Sequence, residues 1–242
     1  MKREYHKWCS FDLKKDMEIL VFGHSGTPVL FFPTRTARFY DYENWKVIDA
    51  IADKINNGHL QVYCVDSNDI ESFYCSCSHP SQRILRHIQY ENYIIHDVIP
   101  FIHSHNPNRF IISAGCSLGA YHAVNIALKY PHSFGKAVGM SGRYDLTLKT
   151  SHFPDLFDGY HDENVYFNMP SQYMPNLNDQ AVINSIKKLH IILAVGKEDP
   201  FFPNNLFLHN TLCAKGIGNT LHMWEGEAHR PRSWQQMVKY FL

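Results

Sequence analysis

The feature that most restricts the fold is a serine between two glycines at the junction of a predicted strand and a predicted helix. The apolar run RFIISAG (109–115) leads into GCSLG (115–119), and the apolar spacing of residues 119–130 is helical. A serine at such a junction occupies a sharp, strained turn, in which small residues two places before and after it avoid collisions. The adjacent helix dipole would favour negative charge developing there. The pattern predicts that Ser117 is a nucleophile, the alternative being a glycine-rich turn with an incidental serine.

Strands and helices alternate on both sides of this junction. Residues 146–184 lack a clear period and predict loops and short helices that could roof a pocket. The alternation predicts an α/β fold with a mainly parallel central sheet and helices on both faces. The predicted strands cover 17–23, 27–33, 60–66, 109–115, 136–142, 189–196 and 220–226, and the main predicted helices cover 47–56, 90–105 (with an irregularity at Pro100) and 119–130.

Length and composition restrict the class of protein. No repeat, low-complexity tract or flexible linker divides the 242 residues, so we expect one domain over 1–242. Lys+Arg and Asp+Glu both total 23, which argues against nucleic acid or an anionic membrane surface as a partner and leaves a small molecule. No segment has the apolar length of a signal peptide or a membrane span, which predicts a soluble cytoplasmic protein. The oligomeric state stays open, a homo-oligomer included.

The cysteines predict neither a disulfide framework nor a metal site. They are scattered in a chain large enough to fold without covalent links, so we expect reduced thiols. Cys75, Cys77 and His79 are close in sequence, but no second cysteine pair completes a zinc spacing. We therefore expect no metal and no other cofactor.

A serine nucleophile needs a base, and at this kind of turn the chain order is serine, acid, histidine. Asp199 lies in KEDPFFP, directly after the predicted strand IILAVG, and is the leading candidate for the acid. Glu198 and Asp145, which also follows a strand, are the alternatives. A helix cap or a solvated loop carboxylate is the non-catalytic interpretation of Asp199.

Three histidines follow Asp199 in the chain. His209 lies in a predicted helix and His222 within a predicted strand, where packing is the expected role. His229 follows the last predicted strand and precedes a terminal helix, so it can reach back across the sheet edge. We predict that His229 is the base.

These residues resemble the putative esterase family of α/β-hydrolases, which includes esterase D (S-formylglutathione hydrolase), feruloyl esterase domains and mycolyltransferases. The resemblance extends from about residue 29 to 234 and depends on GCSLG, KYP, MSG, GKEDP and HRPRSW. It implies an α/β-hydrolase fold and a serine carboxylic-ester hydrolase that acts through an acyl-enzyme intermediate, with Ser117, Asp199 and His229 as the triad. The alternatives are an acyltransferase with the same triad and a catalytically silent binding protein on this scaffold.

The chain departs from the family after the strand that ends near Phe32. Relatives have a glycine-containing turn that supplies an oxyanion donor, whereas this chain has FPTRTARFYDYENW. By the count from the strand end, the backbone N–H groups of Arg35 and Leu118 are the implied oxyanion donors. Residues 65–74 resemble the stretch that lines the acyl or leaving-group pocket in relatives. Five aromatic residues are candidates for lining the cleft, although most are expected in the core: Phe39, Tyr40, Tyr42, Phe73 and Tyr74.

Overall fold

The computed structural model describes residues 1–150 and 152–242, and its eight strands form one sheet. The strands in the middle of the sheet, such as TPVLFF and LQVYCV, are nearly continuous apolar runs because both of their faces are covered. The strands are β1 Arg3–Ser10, β2 Lys15–Phe22, β3 Thr27–Phe32, β4 Leu60–Val65, β5 Ile112–Cys116, β6 Lys136–Met140, β7 His190–Gly196 and β8 Asn219–Trp224.

The sheet is mainly parallel, as predicted. Its spatial order is β1-β2-β4-β3-β5-β6-β7-β8. The β1–β2 and β2–β4 pairs are antiparallel, and all pairs from β4 to β8 are parallel. The carboxyl ends of β3, β5, β7 and β8 therefore meet at one edge, where loops from distant parts of the chain come together.

Helices cover both faces of this sheet. A 3₁₀ turn occupies Asp49–Ile51 and a π-helical segment Ile94–Val98. Within the described residues, no helix is both long and apolar enough to cross a membrane. The α-helices are α1 Asp41–Asn44, α2 Ala52–Asn56, α3 Pro80–Tyr93, α4 Ile99–His105, α5 Leu118–Lys129, α6 Glu163–Tyr166, α7 Pro170–Asn176, α8 Gln180–Ile186, α9 Phe202–Ala214 and α10 Pro231–Phe241.

Two hydrophobic cores lie on opposite sides of the sheet, because neighbouring residues of each strand face opposite ways. Leu30 and Phe32 face the core formed with α3, α4, α5, α8 and α9, whereas Val29 and Phe31 face the core formed with α1, α2 and α10. A third cluster joins Leu118, at the start of α5, to residues of the 146–184 segment.

Local structure differs from the sequence-based expectation in several places. The helix predicted over 90–105 begins ten residues earlier at Pro80, and its irregularity is the π-helical segment directly before α4. Pro100 has no N–H to donate, so the helix cannot keep its regular hydrogen bonding there. The strand predicted over 109–115 begins at Ile112, and the helix predicted over 47–56 starts with the 3₁₀ turn. Strand β1 was not predicted, because its half-buried positions carry polar residues such as Glu4 and His6.

Candidate active site

Ser117 occupies the sharp turn between β5 and α5. Its backbone has φ 56° and ψ −120°, a strained conformation for a residue with a side chain. A Cβ on Gly115 would lie 2.2 Å from the carbonyl oxygen of Gly119, and a Cβ on Gly119 would lie 2.3 Å from that of Phe32. Both glycines are therefore required by close backbone contacts around the serine, as the spacing in the sequence predicts.

Two further loops reach the same sheet edge and are tied to each other. The loop after β7 carries Asp199, and the loop after β8 carries His229. The N–H of Glu198 donates to the carbonyl oxygen of Gly226 at 3.0 Å. A Cβ on Gly196 would lie 2.1 Å from the carbonyl oxygen of Glu227, so this glycine permits the two loops to approach.

The three predicted residues form one hydrogen-bonded chain. His229 Nε2 lies 2.9 Å from Ser117 Oγ, and His229 Nδ1 lies 2.8 Å from Asp199 Oδ2. The Asp199 side chain is fully buried, and its Oδ1 accepts the N–H of Phe201 at 2.9 Å. A serine so placed can lose its proton to the imidazole, while the carboxylate orients the ring and stabilises its charged form.

Packing around His229 holds the ring in place. The Trp234 ring meets it edge-on, with 5.8 Å between the ring centroids. Trp234 Nε1 donates to Ser141 Oγ at 3.2 Å, and that hydroxyl donates to the carbonyl oxygen of Ala228. The serine of MSG and the tryptophan of HRPRSW therefore support the histidine loop.

The alternative acids lie elsewhere. Asp145 accepts hydrogen bonds from Thr147 and Gln172, and Glu198 is exposed. Among the described residues, neither bonds to His229, although each follows a sheet strand as Asp199 does.

The other histidines and the neighbouring cysteine also lie away from the serine. His209 lies in α9, with its Nδ1 2.6 Å from Asn219 Oδ1, and His222 lies exposed on the edge strand β8. Cys116 is fully buried in the core beside α1 and α10, and burial raises the pKa of its thiol. Its side chain therefore packs away from the cleft.

Both implied oxyanion donors border the cleft. Leu118 begins α5 and Arg35 follows β3, and both residues line the cleft beside Ser117. Neither backbone N–H has an acceptor among the residues that the structure describes. They are therefore available to a bound ligand.

The cleft has a volume of about 310 Å³ and mostly apolar walls. Leu146 and Phe153 come from the segment that was predicted to roof a pocket, and they line it. Of the five aromatic candidates, Tyr74 lines the cleft, Tyr40 is exposed and the others are buried in the cores. The remaining lining residues are Thr34, Arg35, Trp45, Ser117, Leu118, Arg143, Phe201, His229 and Trp234.

Two positively charged side chains contribute to the cleft wall. The Arg35 guanidinium lies over the Tyr74 ring, 5.7 Å from its centroid. Burial raises the pKa of Tyr74 to about 12, so its phenol is neutral at ordinary pH. Arg143 is buried and donates to the carbonyl oxygens of Leu146 and Pro154, which fixes the segment above the serine.

Sequence reasoning did not find the roles of two residues that hold the site. Tyr42, considered only as an aromatic candidate, donates its hydroxyl to the carbonyl oxygen of Phe32 and accepts the N–H of Cys116. Asp69 is fully buried, and its Oδ2 accepts the N–H of Thr36 at 3.1 Å. The only signal for either was its position in FPTRTARFYDYENW or VDSNDIESFY, because both contacts join residues distant in the chain.

The described residues contain no group of three or more His, Cys, Asp or Glu side chains able to hold a metal ion. Cys75 and Cys77 have their sulfur atoms 3.0 Å apart on a partly exposed loop. Hydrogen bonds from Cys77 and Ser78 lower the pKa of the Cys75 thiol.

Comparisons with known proteins identify the family and the fold. The family model described as "Putative esterase" matches residues 21–236. No curated protein matches the chain.

Solved structures match over almost the whole chain. A ferulic acid esterase has 15% identity and a TM-score of 0.76, over 100% of this chain and 96% of its own. Fluorophosphonate-binding serine hydrolase F of Staphylococcus aureus has 16% identity and a TM-score of 0.70, and the match covers 99% of this chain and 96% of its own. An S-formylglutathione hydrolase from Agrobacterium tumefaciens has 16% identity and a TM-score of 0.71, and the match covers 98% of this chain and 93% of its own. At these identities the likeness concerns the fold, and it confirms the predicted α/β-hydrolase architecture.

Proposed function

The chain belongs to the putative esterase family, and we propose that it is a serine esterase that cleaves carboxylic esters with Ser117 as nucleophile, His229 as general base and Asp199 as the supporting acid. The observation that carries this proposal is the position of His229. One imidazole nitrogen is 2.9 Å from Ser117 Oγ and the other is 2.8 Å from the Asp199 carboxylate. These are the contacts that a serine needs to become a nucleophile.

In the proposed reaction His229 Nε2 takes the proton from Ser117 Oγ as this oxygen attacks the ester carbonyl. Asp199 stabilises the imidazolium, which then gives its proton to the departing alcohol. The acyl group remains on Ser117 until water, activated by the same imidazole, releases it as a carboxylic acid. The products balance as one acid and one alcohol from one ester and one water.

The N–H groups of Leu118 and Arg35 would bind the oxyanion of each tetrahedral intermediate. Loss of one such donor costs about 3 kcal/mol of transition-state stabilisation in serine hydrolases. The N-terminus of α5 adds the favourable end of a helix dipole at the same place.

The cleft supports a small ester as substrate. Its volume of about 310 Å³ suits a small molecule, and its aromatic residues, such as Trp45 and Phe201, suit an apolar acyl or alcohol group. The similar structures named as a ferulic acid esterase and an S-formylglutathione hydrolase agree with a substrate of this size.

The proposal is tested with Ser117→Ala, His229→Ala and the double variant, using nitrophenyl esters. We expect each single change to remove most of the turnover while circular dichroism stays native, because neither residue gives an activated nucleophile alone. The double variant should lose little more than either single variant. Nearly additive losses, or turnover retained by Ser117→Ala, would contradict the triad.

A further inference from the structure

A buried carboxylate lies directly behind the turn that carries the Arg35 N–H. Asp69 belongs to the loop between β4 and α3, and its side chain is fully buried. Its Oδ2 accepts the N–H of Thr36, the residue after Arg35, at 3.1 Å. The carboxylate therefore contacts the backbone one residue away from the proposed donor.

This contact and one hydrogen bond within the turn occupy the N–H groups of Thr36 and Ala37. The N–H of Ala37 donates to the carbonyl oxygen of Thr34 at 3.1 Å, which closes the turn. The N–H of Thr36 is occupied by Asp69. The N–H groups of Thr34 and Arg35 have no acceptor among the described residues, and both residues line the cleft. Arg35 directly precedes Thr36, the residue that Asp69 holds.

Thr36 needs this support because its backbone is strained. Its φ is 53°, in the left-handed region that a β-branched residue rarely adopts. Such a conformation is costly for a residue with a side chain. A hydrogen bond to a carboxylate is among the stronger ones and can offset that cost.

Asp69 also lies close to the helix that begins beside the nucleophile. Its Oδ1 lies 3.4 Å from Nε2 of His122, a buried residue of α5. Its backbone carbonyl accepts the N–H of Tyr74, the cleft residue beneath the Arg35 guanidinium, at 2.8 Å. Asp69 thus connects a cleft wall to the turn after β3 and lies beside α5.

We propose that Asp69 is a positioning residue for ester hydrolysis: its carboxylate holds the Thr34–Ala37 turn so that the Arg35 N–H faces the oxyanion. This inference rests on the proposed function. A carboxylate that only stabilised the core would affect folding and substrate binding. A carboxylate that orients an oxyanion donor affects the transition state more than the bound substrate, so its loss lowers kcat while KM changes little.

The test compares Asp69→Ala with Asp69→Asn, which keeps an acceptor oxygen but removes the charge. We expect Asp69→Ala to lower kcat about 10- to 100-fold for a nitrophenyl ester, with KM within about threefold. Asp69→Asn should lose several-fold in kcat, less than Asp69→Ala. A trifluoromethyl ketone, whose adduct with Ser117 carries an oxyanion, should lose affinity in the same order.

Glu91→Gln is the matched control. Glu91 is also a buried carboxylate in a hydrogen-bonded network, but its partners are Asn125 and Lys129, away from the turn. The Glu91→Gln variant should unfold at a lower temperature than wild type. Its kcat and its affinity for the trifluoromethyl ketone should not fall selectively. If Asp69→Ala fails to fold, the kinetics of Asp69→Asn alone decide whether Asp69 has the positioning role. Unchanged kcat in Asp69→Asn, or a loss confined to KM, would overturn the positioning role.

Failure of the inference is distinguishable from failure of the proposed function. The inference alone fails if Ser117→Ala is inactive while the Asp69 variants keep native kcat and ketone affinity. The proposed function fails if Ser117→Ala keeps its turnover, whatever the Asp69 variants do.

Discussion

At the scale of single residues, the site combines a strained serine with a fully buried carboxylate. The φ of 56° at Ser117 is tolerated because Gly115 and Gly119 leave room for the close backbone contacts around it. Asp199 gains an N–H from Phe201 and the imidazole of His229, which offset the cost of burying its charge. These contacts distinguish it from the other carboxylates that follow sheet strands.

We expect Asp199→Asn to lower kcat for ester hydrolysis by roughly a thousandfold or more, because the amide cannot stabilise the imidazolium as a carboxylate does. Asp145→Asn is the matched change, since Asp145 also follows a strand but bonds to Thr147 and Gln172. It should keep kcat within a few-fold. Steady-state kinetics on both variants decide between them, and a large loss in Asp145→Asn alone would mean that the acid is misassigned.

At the scale of elements, the turn after β3 is the least regular part of the site. It replaces the glycine-containing turn expected from the family resemblance with Thr34, Arg35, Thr36 and Ala37, and it includes a left-handed threonine. Two side chains from outside the turn hold this part of the backbone. Tyr42 bonds to the carbonyl of Phe32 before it, and Asp69 bonds to the N–H of Thr36 within it.

Replacement of Arg35 separates the contribution of its backbone from that of its side chain. We expect Arg35→Ala to keep kcat within about tenfold and Arg35→Pro, which removes the N–H, to lose on the order of a hundredfold or more. Kinetics with a neutral and an anionic ester measure both, with circular dichroism as the control for the fold. A loss in Arg35→Ala confined to the anionic ester would instead indicate that the guanidinium binds an anionic group of the substrate.

At the scale of the whole molecule, a buried polar network joins α3 to α5 on one face of the sheet. Glu91 accepts hydrogen bonds from Asn125 and Lys129. Nε2 of His87 lies 3.5 Å from Oε1 of Glu91. Burial lowers the pKa of His87, so near neutral pH its imidazole is uncharged and Lys129 supplies the positive charge. Burial alone would raise the pKa of Glu91, but His87 and Lys129 outweigh it and bring the value to about 2.

The low pKa of Glu91 in this network predicts how the free energy of unfolding depends on pH. A carboxylate whose folded pKa of about 2 lies below its ordinary value of 4.5 stabilises the fold above pH 4.5 and loses that contribution as the pH falls towards 2. The shift corresponds to on the order of 3 kcal/mol. Urea unfolding of wild type and Glu91→Gln should give free energies that differ most above pH 5 and converge near pH 2. A difference independent of pH would contradict the depressed pKa.

Several features of this protein were predictable from the sequence alone. Apolar periodicity located β2 to β8 and the helices α2, α4 and α5, because it reflects which side of each element is buried. The glycines around Ser117 indicated the sharp turn, because backbone contacts there exclude a Cβ and their spacing is local. Polar β1 and the early start of α3 were missed, since pairing to β2 and packing outweigh weak local signals there.

Contacts across the chain were decided only by the tertiary structure. The sequence favoured Asp199 over Glu198 and Asp145, all of which follow strands, but only the folding of the loops after β7 and β8 brings the Asp199 carboxylate within 2.8 Å of His229. The same holds for Asp69, which is 33 residues from Thr36 in the chain. Propensity and periodicity describe neighbours along the chain, whereas these distances depend on how the whole sheet assembles.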